Sequence, residues 1–235
     1  MTSTASVIGS TGLVGHQILR TLLEIDACQT VYTISRRAPK TEPSAKLNAA
    51  IEADTTKWAS QFAALSPTPK AVYSALGTTR AQAGGIQNQW KIDHDLNIEL
   101  AKAARAAGTQ TFVFVSSAGT RGFPSNMSPY SKMKIGVEDG IKSLDFNQAI
   151  ILRPGFLMGK RDVAHTGGPL LDTLFHGMKT YLGQGVQDKL AQDDEVVARA
   201  AVNAAILAAE GKAPSKYWVL EQNDIVKLGR DEWKA

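Results

Sequence analysis

The sequence predicts an α/β fold, a doubly wound parallel sheet with helices on both faces and a small C-terminal extension on the substrate side. Three observations lead there. Short apolar runs alternate with longer segments of helical period along most of the chain. The runs Phe112-Val-Phe-Val115 and Ile150-Ile-Leu152 are apolar without interruption, as strands covered on both faces are. The first apolar run also ends in glycines and passes directly into a helical pattern.

Taken in order, strands are expected near Ser6–Ile8, Val31–Ser35, Ala49–Ala53, Ala71–Leu76, Thr111–Ser116 and Gln148–Arg153. Helices are expected between them near Leu13–Glu24, Thr56–Leu65, Gln87–Ala107 and Tyr130–Ser143. In the third helix Trp90, Asp93, Asn97, Ala101 and Ala104 keep one register, and Gly108 supplies a stop. After Arg153-Pro-Gly155 the rhythm is lost until a helix opened by Asp193 or Asp194 and closed by Gly211. Tyr217-Trp-Val-Leu220 reads as one more strand. With no linker or repeat, residues 1–235 read as a single nucleotide-binding domain, in which 155–192 and the tail form a wall over the substrate side.

Composition excludes several classes. The 235 residues are 43% hydrophobic and 20% charged, which supports a core and argues against disorder. A net charge of +4, spread without a basic stripe, gives no footprint for a nucleic-acid partner. Cys28 is the only cysteine, and the four histidines, His16, His94, His165 and His176, form no ligand pair, so no metal is expected. The first fifteen residues hold no Lys or Arg, unlike a signal or transit peptide. The run Ala200–Ala209 is too short to span a bilayer, so any membrane contact is expected to be peripheral.

The glycine loop Gly9-Ser10-Thr11-Gly12-Leu13-Val14-Gly15 stands between the first strand and its helix. A tight turn and a close approach to pyrophosphate both exclude a Cβ, and a helix N-terminus offers free N–H groups to phosphate. In NAD-binding versions of this Rossmann-type arrangement an acid about 20 residues on takes the ribose hydroxyls. Here the second strand ends in Arg36-Arg37, and a guanidinium matches a 2′-phosphate, so NADP(H) is expected over NAD(H). One or both arginines would alternatively be solvated surface groups. Asp54 reads equally as an adenine contact or as a cap for the helix at Thr56. The small residues in Leu76-Gly77-Thr78 let a ribose lie against the backbone.

Ser117 closes the fifth strand, and Tyr130-Ser-Lys-Met-Lys134 follows on a helix. Positions i and i+4 share a helix face, so phenol and ammonium point the same way, and a neighbouring ammonium eases proton transfer from a phenol. Lys134 also stands to hold the nicotinamide ribose, while Ser117 positions a substrate oxygen for Tyr130.

These motifs, with Leu76-Gly-Thr-Thr-Arg80, Ile92-Asp-His-Asp-Leu-Asn97, Val115-Ser-Ser-Ala-Gly119, Glu138 and Leu152-Arg-Pro-Gly155, resemble the atypical short-chain dehydrogenase/reductases. Among these, the sequence is most similar to the small fungal family of the mitochondrial outer membrane, related to the human Tat-interacting oxidoreductase. The resemblance covers about residues 5 to 162. It implies NADP(H) binding, Ser117, Tyr130 and Lys134 as the catalytic trio, and Tyr130, Lys134, Arg153, Pro154 and Gly155 beside the cofactor. It also implies peripheral attachment to that membrane, whereas composition alone fits a cytoplasmic protein. Asp93 stands near the place where many of these enzymes carry an Asn, and its carboxylate would pair with a base or face solvent.

The leading expectation is reduction of a small carbonyl, or oxidation of its alcohol, by a monomer or homodimer. Phe156, Leu157, Met158 and the stretch around Gly167-Gly-Pro169 would line the substrate side. A sensor that binds NADP(H) with little turnover is the alternative. Epimerase or isomerase chemistry comes third, because the short C-terminal third leaves little room for a sugar nucleotide.

Overall fold

A computed structural model describes residues 4–158 and 191–234. Seven parallel strands form the main sheet in the order β3-β2-β1-β4-β5-β6-β9: β1 Thr4–Ile8, β2 Thr30–Ser35, β3 Leu47–Ile51, β4 Ala71–Ser74, β5 Thr111–Val115, β6 Gln148–Leu152 and β9 Tyr217–Leu220. Alternate residues of the central strands feed two cores. Ala5, Val7, Tyr73, Val113 and Ile150 pack with Ile18, Leu19 and Leu22 of α1 (Leu13–Glu24) and with Val197, Ala201 and Ala204 of a long C-terminal helix. Ile8, Ile34, Val72, Phe112, Phe114 and Ile151 pack on the other face. There they meet α2 (Trp58–Ala63), Leu100 and Ala104 of α5 (Asn97–Ala106), and Val137 and Ile141 of α6 (Pro129–Ser143). The strand order reverses between β1 and β4, and ligands of such sheets bind in the crevice outside the strand ends there.

The anticipated elements are present with shifts that have physical reasons. β3 lies earlier than the expected Ala49–Ala53, because its register is fixed by pairing Val31 with Leu47 and not by its own weak pattern. The helix expected at Thr56 opens with a single 3₁₀ turn, Thr55–Lys57. The expected continuous helix Gln87–Ala107 is divided. Short α3 (Arg80–Ala83) and α4 (Ile86–Trp90) lead into a π-turn, Lys91–Leu96, before α5. The Asn97 amide stabilises that turn by donating to the carbonyls of Ile92 and Asp93 at 3.2 and 3.1 Å.

α7 (Asp194–Ala209) runs as expected, with Gly211 in the left-handed region just past its end. A 3₁₀ turn Ser125–Met127, a two-stranded pair, β7 (Phe156–Met158) with β8 (Ala191–Asp193), α8 (Gln222–Val226) and a final π-turn Lys227–Asp231 complete the described elements. α8 carries a capping box between Glu221 and Asp224. The stretch Gly167-Gly-Pro169 lies outside the described residues.

Candidate cofactor and active site

The three loop glycines have different tasks. Gly9 has φ +82, and a Cβ there would stand 2.7 Å from the Ala75 carbonyl oxygen. At Gly15 a Cβ would stand 2.1 Å from the Gly9 carbonyl oxygen, so helix and loop touch through their backbones. Gly12 is different: it is exposed, its φ of −87 suits any residue, and a Cβ would meet only Gly9 O at 3.3 Å. Its missing side chain therefore serves what comes to the loop from outside. Gly12 also occupies the N-cap of α1 without a side-chain cap, which leaves the first-turn N–H groups to an incoming anion. The Ser10 hydroxyl is buried here and has no hydrogen-bond partner among the described residues. An open glycine, uncapped helix donors and an orphaned hydroxyl fit a pyrophosphate.

Around the crevice, Arg36 and Arg37 stand exposed just past β2, where the Ser35 hydroxyl donates to the Arg37 carbonyl at 2.7 Å. Asp54 caps the 3₁₀ turn: its Oδ1 accepts from Thr56 N–H at 3.0 Å and from the Thr56 hydroxyl at 2.6 Å. Those bonds hold the Asp54 carboxyl below its ordinary value and leave Oδ2 facing Lys57 at 3.9 Å. Leu76, Gly77 and Thr78 leave β4 beside Asp93, whose Oδ1 accepts from Thr78 N–H at 2.7 Å.

Ser117 and Tyr130 are the two ends of one loop. Ser117 is half-buried just past β5 and Tyr130 is 42% exposed in the first turn of α6. Lys134, one turn on, is buried, donates from Nζ to the Val115 carbonyl at 3.1 Å and lies 4.8 Å over the Phe114 ring. Burying an ammonium is costly unless it is partnered. The structure therefore holds a cation under the strand ends, between Phe114 and the helix that carries the phenol. Asp93 is buried in the facing π-turn, which packs against α6 because Gly136 leaves room for the His94 ring. Burial pushes the Asp93 carboxyl above the usual carboxylate range, while the Lys134 charge, Thr78 N–H and the Gln89 amide pull it back. Asp93 thus carries a buried carboxyl group in the field of Lys134, not a solvent-facing one.

The sequence reading missed what Glu138 holds together. Its carboxylate is fully buried on α6. Oε1 accepts from the Ser116 hydroxyl at 2.5 Å and from Arg153 Nε at 3.1 Å, and Oε2 accepts from Arg153 Nη2 at 2.6 Å and Arg121 Nε at 3.0 Å. Arg153 also reaches Glu221 at 2.9 Å, and Arg121 reaches Asp139 at 2.6 Å. Burial alone would raise the Glu138 pKa, but Arg153, Ser116 and Arg121 more than offset it and hold the carboxyl low. The Arg153 fork is thus taken up by carboxylates, while Pro154 is buried and the Gly155 N–H donates to Gln192 at 2.6 Å. The one mark of it in the sequence is an acid four residues after Lys134.

The fold and its glycine loop define a Rossmann-type, NAD(P)-binding class of protein. Residues 5–187 match the NAD dependent epimerase/dehydratase family, and the chain belongs to it. It is 61% identical over 229 residues to "Protein FMP52, mitochondrial" of Chaetomium globosum, covering 97% of each chain. With "Protein fmp-52, mitochondrial" of Neurospora crassa it shares 58% over 236 residues, covering 99% of this chain and 97% of that one. Among solved structures it is similar to MoeE5 in complex with UDP-glucose and NAD, with TM-score 0.67 and 16% identity, covering 98% of this chain and 81% of that one. It is also similar to the UDP-N-acetylglucosamine 4-epimerase of Methanobrevibacter ruminantium, with TM-score 0.69 and 16% identity, covering 94% and 76%. At such identities these two structures bear on the fold alone.

Proposed function

We propose that this protein is an NADP(H)-dependent oxidoreductase of the short-chain dehydrogenase/reductase type, which reduces a carbonyl compound or oxidises the matching alcohol. The observation that carries the reading is the buried Lys134 beneath an accessible Tyr130, with Ser117 at the other end of the same loop. When bound, the nicotinamide cofactor supplies or accepts hydride. Gly12, Ser10 and the first turn of α1 would hold its pyrophosphate, with Leu13, Val14 and residues 76–78 beside it. Ser117 orients the substrate oxygen, Tyr130 delivers the proton to it, and the Lys134 ammonium stabilises the phenolate left behind. Glu138 keeps Ser116 and α6 in one frame, so both ends of the loop meet the same substrate oxygen.

Two exposed guanidiniums at the end of β2, with no acid among residues 35–41, support NADP(H) over NAD(H). The test is to follow nicotinamide absorbance with NADPH and NADH over a carbonyl panel, in the unmodified protein and with Arg36 and Arg37 both replaced by Ala. Faster consumption of NADPH, lost in the double variant, is the expected result; equal use of both cofactors contradicts the preference. A second reading, epimerisation of a sugar nucleotide, is favoured by the family match. Conversion of a UDP-sugar without net cofactor turnover would replace the reductase reading.

The similar fungal proteins are named mitochondrial, and among the described residues no helix is long and apolar enough to cross a membrane. We propose peripheral attachment at the mitochondrial surface. Alkaline carbonate should release the protein from membranes, and recovery only in the detergent phase contradicts this.

A further inference from the structure

Among the described residues five large apolar side chains stand exposed: Ile51, Phe123, Met127, Tyr130 and Phe156, at 62, 85, 65, 42 and 61%. Ile51 ends the edge strand β3. Three of the others, Phe123, Met127 and Tyr130, belong to the segment that runs from Ser117 into α6. Phe123 and Met127 ride on the loop whose ends are Ser117 and Tyr130. Phe156 follows two residues after Pro154, whose carbonyl accepts from Ala118 N–H at 2.8 Å beside Ser117. Scattered exposed apolar residues are ordinary, but a cluster beside reacting groups marks a binding surface.

The loop is a built scaffold. The Ser125 hydroxyl reaches the carbonyls of Gly119 and Gly122, Asn126 N–H donates to Gly122 O at 2.8 Å, and Ser128 N–H donates to Ser125 O at 3.0 Å. Arg121 fastens the loop to α6 through Glu138 and Asp139. Phe123 and Met127 are therefore held outward by the fold. The loop's charges tell the same story. No Asp or Glu occurs between Ser117 and Val137, the Arg121 guanidinium is occupied by carboxylates, and Lys134 is buried. Lys132 is the one other charged side chain on that stretch, so this loop offers a ligand apolar area and no phosphate-binding fork.

We infer that the substrate of this site is an apolar carbonyl compound, an aldehyde or ketone with a hydrocarbon body, and that Phe123 and Met127 select it by covering that body. The inference rests on the reductase reading above. In that reaction the carbonyl carbon gains hydride, its oxygen gains the Tyr130 proton, and the nicotinamide is oxidised by two electrons.

The test is a calorimetric titration of n-octanol, which cannot react with reduced cofactor, into the full chain saturated with NADPH, with glycerol as the polar control. Saturable binding of octanol and none of glycerol is expected. Phe123→Ser and Met127→Ser should each weaken it about tenfold or more, the worth of covering one large apolar side chain, with NADPH affinity unchanged. Absent octanol binding, binding undiminished in both variants, or tighter binding of UDP-glucose overturns the inference. So does loss of a dimer on sedimentation or of vesicle binding in the variants, because either shows that a second copy or a lipid surface covers this face. Reduction of octanal by NADPH separates the two claims. If octanol binds but octanal is not reduced, the reductase reading fails. If octanal is reduced equally well by both variants, the substrate inference alone fails.

Discussion

Single residues in the glycine loop separate folding from binding. Gly15→Ala puts a methyl 2.1 Å from a backbone oxygen that cannot move without pulling loop from helix. It should destabilise the protein by at least about 1–3 kcal/mol, read from chemical denaturation. Gly12→Val meets far less protein, so the fold should keep most of its stability while NADPH binding is abolished. Normal binding by that variant would make the loop merely structural. The triplet of glycines was legible in the sequence; which glycine serves the fold and which the ligand was not, because that depends on the Ala75 and Gly9 carbonyls across the turn. Asp54 shows the same limit. Its sequence position left an adenine contact and a cap equally open, and only the Thr56 hydrogen bonds show the carboxylate at work as a cap.

At the scale of elements, the Glu138 network joins α6, the ends of β5 and β6, and the start of α8. Glu138→Gln keeps the shape, removes the charge and leaves two guanidiniums short of a partner. A loss of about 1.5–3 kcal/mol is expected, the range for hydrogen bonds to charged groups, discounted from a fully buried pair because Arg121 is partly exposed. The sign of its pH dependence follows from a folded pKa held below the ordinary 4.5. The contribution is fully present above the unfolded value and disappears as pH falls through the folded one. The stability gap between the unmodified protein and Glu138→Gln should therefore be constant above the ordinary 4.5 and shrink as the pH falls below it, and a gap unchanged in acid contradicts the assignment. The network was hidden in sequence because its members come from distant segments, brought together only by the parallel order of the sheet. The π-turn was hidden for another reason: it leaves the helical period of Trp90, Asp93 and Asn97 nearly intact.

For the molecule as a whole, the alternation of apolar runs and helical segments was sufficient to give the sheet, because every central strand is buried on both faces. What lies past Arg153 was less legible, since short elements such as β7 and β8 are held by pairing and not by any period of their own. A ligand that binds only the folded state stabilises all of it. NADPH at about a hundred times its Kd should raise Tm by about 5–10 °C, and NADH at equal concentration should do less. Equal shifts would remove Arg36 and Arg37 from the cofactor site. Proton transfer at Tyr130 is best checked by steady-state reduction of a carbonyl substrate by NADPH in the unmodified protein and in Tyr130→Phe, with NADPH affinity measured in both. The Phe variant should be slower by about 10²–10⁴-fold with cofactor affinity unchanged, the usual worth of a positioned general acid; turnover at the unmodified rate would show that Tyr130 is not the proton donor.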